Sequence, residues 1–134
     1  MDKTTIMAYF SIHGDTFELE EVTRCLGIEP TDIKIKGTVP DGRKRPSIET
    51  SWKISTDEEE SLDINVQLDK IICLLSDKKD ILRSIKTSMD VDFDFVFVVK
   101  IENGEKPSMH FNSKHLGVIS YIGAEIDIDL YIYS

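Results

Sequence analysis

Ile6, Ala8, Phe10 and Ile12 alternate with Thr5, Met7, Tyr9 and Ser11, the two-residue period of a strand buried on one face. His13-Gly14 is expected to end that strand. Phe17, Leu19, Val22, Cys25 and Leu26 then recur at helical spacing, with Asp15 and Glu18 placed as a capping box and Gly27 as a left-handed stop. After Pro30, Ile33 and Ile35 alternate with Asp32, Lys34 and Lys36 as a second strand. Gly37, Pro40-Asp41-Gly42 and Pro46 carry loop chemistry. A third strand near Thr50 to Thr56 holds the single tryptophan, Trp52.

Asp57 to Glu60 reads as the acidic entry to a helix, favourable for its dipole. Ile64, Leu68, Ile71, Ile72 and Leu75 form the buried stripe of that helix, and Ser76-Asp77 restarts a second one with Ile81, Leu82 and Ile85 inward. The clearest strand sets Val91, Phe93, Phe95, Phe97, Val99 and Ile101 against Asp92, Asp94, Val96, Val98 and Lys100. Asn103-Gly104 signals a hairpin to a short edge strand near Met109 to Phe111, marked by Pro107. Ser113 is placed to cap a helix through Leu116, Ile119, Tyr121 and Ile122, closed by Gly123. A last strand carries Ile126, Ile128, Leu130 and Ile132 on one face. Cys25-Leu26-Gly27-Ile28-Glu29 and Tyr121-Ile122-Gly123-Ala124-Glu125 echo each other, which suggests two weakly repeated β-α-β halves, right-handed if their strands are parallel. The expected fold is α+β: a mixed, mainly antiparallel sheet of five to six strands with helices on one face.

A length of 134 residues favours one domain over 1–134. With 40% hydrophobic residues the chain is too apolar for disorder. No apolar run approaches the ~20 residues of a membrane span, and the first residues lack a basic leader, so neither a membrane nor secretion is expected. Sixteen basic against 25 acidic side chains leave a net charge of −9, which disfavours nucleic acid as a partner and suits a protein one. Cys25 and Cys73 stand among apolar neighbours without a C-x-x-C, as reduced core residues of a cytoplasmic protein.

Four segments carry a resemblance: Gly14-Asp15 with Phe17, Leu26-Gly27-Ile28-Glu29-Pro30-Thr31, Gly37 with Arg43 to Trp52, and Ile122-Gly123-Ala124-Glu125-Ile126-Asp127-Ile128-Asp129. Across nearly the whole chain the sequence resembles the bacterial domain of unknown function 4279 family. The resemblance implies a small α+β protein, suggests by analogy an immunity-type or inhibitor role, and transfers no catalytic residue.

The sheet face turned from the helices is expected to be open, carrying Met7, Tyr9 and Ser11, then Lys34, Lys36 and Lys53, with Asp92, Asp94, Val96, Val98, Asp127, Asp129, Tyr131 and Tyr133. Tyrosine pairs contact area with a polar tip. The leading expectation is therefore a non-enzymatic module that binds a protein partner, or a second copy of itself, through Tyr9, Asp92, Asp94, Asp127, Asp129, Tyr131 and Tyr133. The alternative is a small-ligand or phosphate-binding protein, or a minor hydrolase, that uses the basic Arg43-Lys44-Arg45 cluster with His13 or His110. The four aspartates would converge only if their strands ran as parallel neighbours; neither an EF-hand spacing nor a His-carboxylate motif is present, so no metal and no cofactor are expected.

Overall fold

In the computed structural model, which describes residues 2–134, the alternating segments form one six-stranded sheet. Its strands are β1 (Thr5–Gly14), β2 (Asp32–Lys34), β3 (Thr50–Ser55), β4 (Glu59–Glu60), β5 (Asp92–Ile101) and β6 (Glu125–Ile132). They lie in the order β2-β3-β1-β5-β6, with β4 continuing beside β1 where β3 leaves it. Only β5 and β6 pair in parallel; the other contacts are antiparallel. The helices are α1 (Leu19–Leu26), α2 (Ile64–Leu75), α3 (Lys79–Met89) and α4 (Ser113–Tyr121), α2 and α3 being joined by a 3-10 turn at Ser76–Lys78.

All four helices bury residues in one core with a single face of the sheet. Ile6, Ala8, Phe10 and Ile12 from β1 meet Phe93, Phe95, Phe97, Val99 and Ile101 from β5 in that core, as the alternation requires. Phe10 packs at 5.5 Å from Phe93 and 5.0 Å from Phe95, both tilted, the favoured arrangement of aromatic rings. Trp52 is fully buried and its indole donates to Thr23 Oγ1 at 3.0 Å, which ties β3 to α1. The fold is α+β, with the mixed, mainly antiparallel sheet covered by helices on one side.

The two weakly repeated halves take a definite form. β1 and β2 run in the same direction, because each is antiparallel to β3. β5 and β6 are likewise parallel, so β1-α1-β2 and β5-α4-β6 are two parallel β-α-β units. Gly27 (φ 66°) and Gly123 (φ 73°) both turn left-handed where those helices end. The units differ in that β3 separates β1 from β2, whereas β5 and β6 touch.

Several local expectations are corrected. Glu18 precedes α1 without any side-chain cap, and Asp15 pairs instead with Lys36, so the capping box does not form. The acidic stretch from Asp57 opens no helix: Glu59–Glu60 is a strand beside β1, and Asp63 caps α2 by accepting from the Asn65 N–H at 2.9 Å. Asn103 (φ 53°) and Gly104 (φ 67°) do make the tight turn, but both sides of β5 are already taken by β1 and β6. The chain after the turn crosses to α2, where only Ser108 bridges to Asp63, so no hairpin strand forms. Asn112, one residue earlier than expected, caps α4 by accepting from the His115 N–H at 2.8 Å. The buried stripe of α4 is accordingly His115, Val118 and Ile119, followed by Ile122, while Leu116 and Tyr121 face solvent. His115 is satisfied in place by Asn65 Oδ1 at 3.1 Å and Asp69 Oδ1 at 3.0 Å. Cys73 is exposed and Cys25 half-buried, both free, because position 73 lies one helical step past the inward Ile72.

The central pairing makes a sharp contrast in stability. Phe10→Ala should cost about 3–5 kcal/mol in chemical denaturation, as a large core side chain is replaced by a cavity. Ile132→Ala, at the solvent-exposed end of β6, should stay within about 0.5 kcal/mol.

Candidate functional site

On the face turned from the helices, cross-strand register sets the side chains in rows. Lys53 of β3 stands opposite Ser11 of β1, which stands opposite Asp94 of β5. One row along, Ser55, Tyr9, Val96 and Asp127 line up across four strands, and in the other direction so do Lys34, Ser51, His13 and Asp92. No helix covers this face, but the segment between β2 and β3 does in part. Its neck closes on itself, with the Gly37 N–H donating to the Ser47 carbonyl at 2.9 Å and the Ser47 N–H to the Thr38 carbonyl at 2.8 Å. Pro40 and Pro46 sit near the two ends of the tip, and the Arg43 N–H donates back to the Pro40 carbonyl at 3.0 Å.

That loop and the sheet enclose a cleft of about 610 Å³. Arg43, Lys44 and Arg45 line it from the loop, Lys34 and Lys53 from β2 and β3, and Tyr9, His13, Asp94 and Asp127 from the central and far strands. Ser11 and Ser51, both buried, contribute to its lining between them. Two groups of residues that sequence spacing left as alternatives, the tyrosine-aspartate face and the basic loop, thus share one cavity.

The charges in the cleft are largely uncompensated. Among the described residues, Lys34, Arg43, Lys44, Arg45, Lys53 and Asp127 take part in no ion pair. His13 is the exception: Nε2 donates to Asp94 Oδ2 at 2.6 Å, and Nδ1 lies 3.5 Å from Glu49 Oε2. Its ring is held upright between β5 and the base of the loop. The Lys53 ammonium sits 4.8 Å from the centre of the Tyr9 ring. Partial burial lowers the pKa of Lys53, and neighbouring Lys34 adds to that shift. Partial burial raises the pKa of Tyr9, with further contributions from Asp129, Asp127 and Asp94. Tyr9 therefore presents a hydroxyl donor in the physiological range.

The other expected positions scatter. Asp92 is exposed at the end of the His13 row, outside the cleft. Asp129 and Tyr131 on β6, and Tyr133 just past its end, lie outside the cleft, the two tyrosine rings stacked at 6.4 Å. Lys36 leaves the sheet face to pair with Asp15. His110 is exposed on the helical side, where its carbonyl accepts from Asn65 Nδ2 at 2.6 Å, so it takes no part with the basic loop. His13 belongs inside β1, and its carboxylate partners are Asp94 and Glu49. β5 and β6 are parallel neighbours, yet the register places Asp94 against Glu125, Asp127 against Val96 and Asp129 against Val98, which staggers the four aspartates. Among the described residues no cluster of three His, Cys, Asp or Glu is arranged to hold a metal ion.

Sequence reasoning did not single out Ser51 or Glu49. The face of Ser51 follows from its place beside Trp52, but the loop fold that brings Glu49 to His13 has no periodic signature. A wider, more open hollow of about 800 Å³ lies between α2 and α4. Its polar groups are mostly satisfied by one another, through Asp63, Asn65, Asp69 and His115.

Compared with known proteins, residues 3–133 match the family model described as Domain of unknown function (DUF4279), and the chain belongs to that family. No curated protein and no solved structure matches it. No helix is long and apolar enough to cross a membrane.

The raised pKa of Tyr9 has a spectroscopic consequence. In an alkaline titration followed by phenolate absorbance, Tyr9 should ionise above its ordinary value of 10.0. Tyr121, whose hydroxyl donates to Asp80, should also ionise late. Tyr9→Phe should remove one of these two late steps. A group with a raised folded pKa holds its proton more tightly in the folded state, so its contribution to stability is complete below pH 10 and lost as pH climbs through the raised value. Denaturation midpoints should accordingly fall less steeply in the variant above pH 10.

Proposed function

We propose that this member of the DUF4279 family binds a small anionic molecule, bearing phosphate or carboxylate, in the cleft beneath the loop between β2 and β3. The observation that carries the reading is the ring of cations Lys34, Arg43, Lys44, Arg45 and Lys53 around one cavity, none in an ion pair, on a chain whose net charge is −9. Like charges repel, and although Asp32 and Glu49 act on Lys53, no carboxylate forms an ion pair with any of the five among the described residues. An anion seated between them replaces repulsion by charge-assisted hydrogen bonds, for which the arginine fork is suited in geometry. The Tyr9 hydroxyl supplies a further donor. His13, with a carboxylate against each ring nitrogen, shapes the wall between sheet and loop.

The reading is of a binding protein rather than an enzyme, in a bacterial cytoplasm, a setting supported by two free cysteines and by the family's resemblance. A second reading, a protein partner or a second copy, draws on the β6 edge of the sheet rather than on the cleft. β6 is an edge strand with Ile128, Leu130, Tyr131, Ile132 and Tyr133 exposed, and an unpaired edge bearing apolar side chains is a place where another chain can add a strand. An immunity-type or inhibitor role would use that edge.

Titration calorimetry with inorganic pyrophosphate tests the first reading. The Arg43→Ala/Arg45→Ala variant should bind about 10- to 100-fold more weakly, or about 1.4–2.8 kcal/mol, and binding to the native protein should weaken as salt rises. Equal affinity in native and variant proteins, or no heat from either at millimolar pyrophosphate, would defeat it.

A further inference from the structure

Resting on the anion-binding reading, we infer that the natural ligand is a small phosphate monoester that also carries an ammonium group. The cleft has two unlike walls. Five cations line the loop and the β2-β3 side, where the one lining carboxylate, Glu49, faces His13, whereas Asp94, bonded to His13, and Asp127, in no ion pair, stand on β5 and β6, across β1. Neighbouring strands lie about 4.8 Å apart, so Lys53 on β3 and Asp94 on β5 are separated by two spacings, roughly 10 Å at the backbone. Among the described residues neither Lys53 nor any loop cation forms an ion pair with Asp94 or Asp127 across that gap. A ligand that is anionic at one end and cationic at the other satisfies both walls at once.

Ser51 gives an independent indication. It is 4% exposed, it lines the cleft, and its Oγ has no hydrogen-bond partner. Such a group costs free energy when nothing occupies its donor and acceptor sites. Ser51 stands in the row between Lys34 and His13, on the cationic side. A phosphate oxygen seated there would accept its hydroxyl proton together with those of the lysine and arginine groups. The ammonium end then points away from Lys53, which already holds the Tyr9 ring, and toward Asp127, whose carboxylate favours a cation.

Three compounds on one scaffold separate the two ends: glucosamine 6-phosphate carries both charges, glucose 6-phosphate the anion, and glucosamine the cation. In titration calorimetry the first should bind at least tenfold more tightly than the second, and glucosamine should bind most weakly. The Asp94→Asn/Asp127→Asn variant should bind the two phosphates equally. Asp127→Asn alone, at an exposed position on β6, should narrow the preference if the double variant proves unstable. Equal affinity of the native protein for the two phosphates would overturn the ammonium assignment while leaving the anion site standing, as would a preference that survives in every folded aspartate variant. Failure of both sugar phosphates where pyrophosphate binds would overturn the assignment alone; failure of all three anions would overturn the anion-binding reading with it.

Discussion

The antiparallel pairing of β1 with β5 is the interaction on which the rest of the structure depends. Nine residues of β1, from Thr5 to His13, face nine of β5 in unbroken register. That register puts Phe10 against Phe95 on one side of the sheet and Ser11 against Asp94 on the other. A slip of one residue would carry the phenylalanines into water and the aspartates into the core, so burial of the aromatic cluster holds the register firmly. The polar face then inherits its order from the core: Tyr9, Ser11 and His13 stand where they do because Ala8, Phe10 and Ile12 are buried.

The remaining strands extend this centre in two different ways. On one side β3 and β4 divide the length of β1 between them, and the departure of the chain into β2 and the loop brings cations over the sheet. On the other side a parallel unit adds β6 at the edge, bearing acids on the open face and apolar residues on the reverse. The asymmetry of charge across the cleft is therefore a consequence of topology as much as of composition. A net negative chain carries a locally positive wall because three of its sixteen basic residues, Arg43, Lys44 and Arg45, are consecutive in one loop, and that loop folds back over β1 rather than outward.

Most of the architecture was legible in the sequence, because burial of one face writes a period of two or 3.6 into the chain. The strands around Phe10, Trp52 and Phe95 and the stripe of α2 are such cases. Errors arose where local chemistry competed with tertiary demands. Asn103-Gly104 has the turn its residues favour, but β1 and β6 had already taken both sides of β5. Asp15 could have capped α1, yet Lys36 was a charged partner within reach. The candidate site was half legible: the two residue sets that build it were recognisable, and their meeting was not. Which way an irregular loop folds depends on the hydrogen bonds of its neck, between Gly37, Thr38 and Ser47, and these leave no pattern in hydropathy. His110 and the β6 tyrosines show the reverse error, in which suitable chemistry stands away from the cavity.

The closed neck of the basic loop bears on how such a protein can diverge. None of residues 39–46 belongs to the hydrophobic core, and the segment re-enters the sheet through backbone bonds indifferent to side-chain identity at the tip. Those eight positions behave as an exchangeable cassette. Substitutions there leave the packed scaffold beneath on its thermodynamic footing.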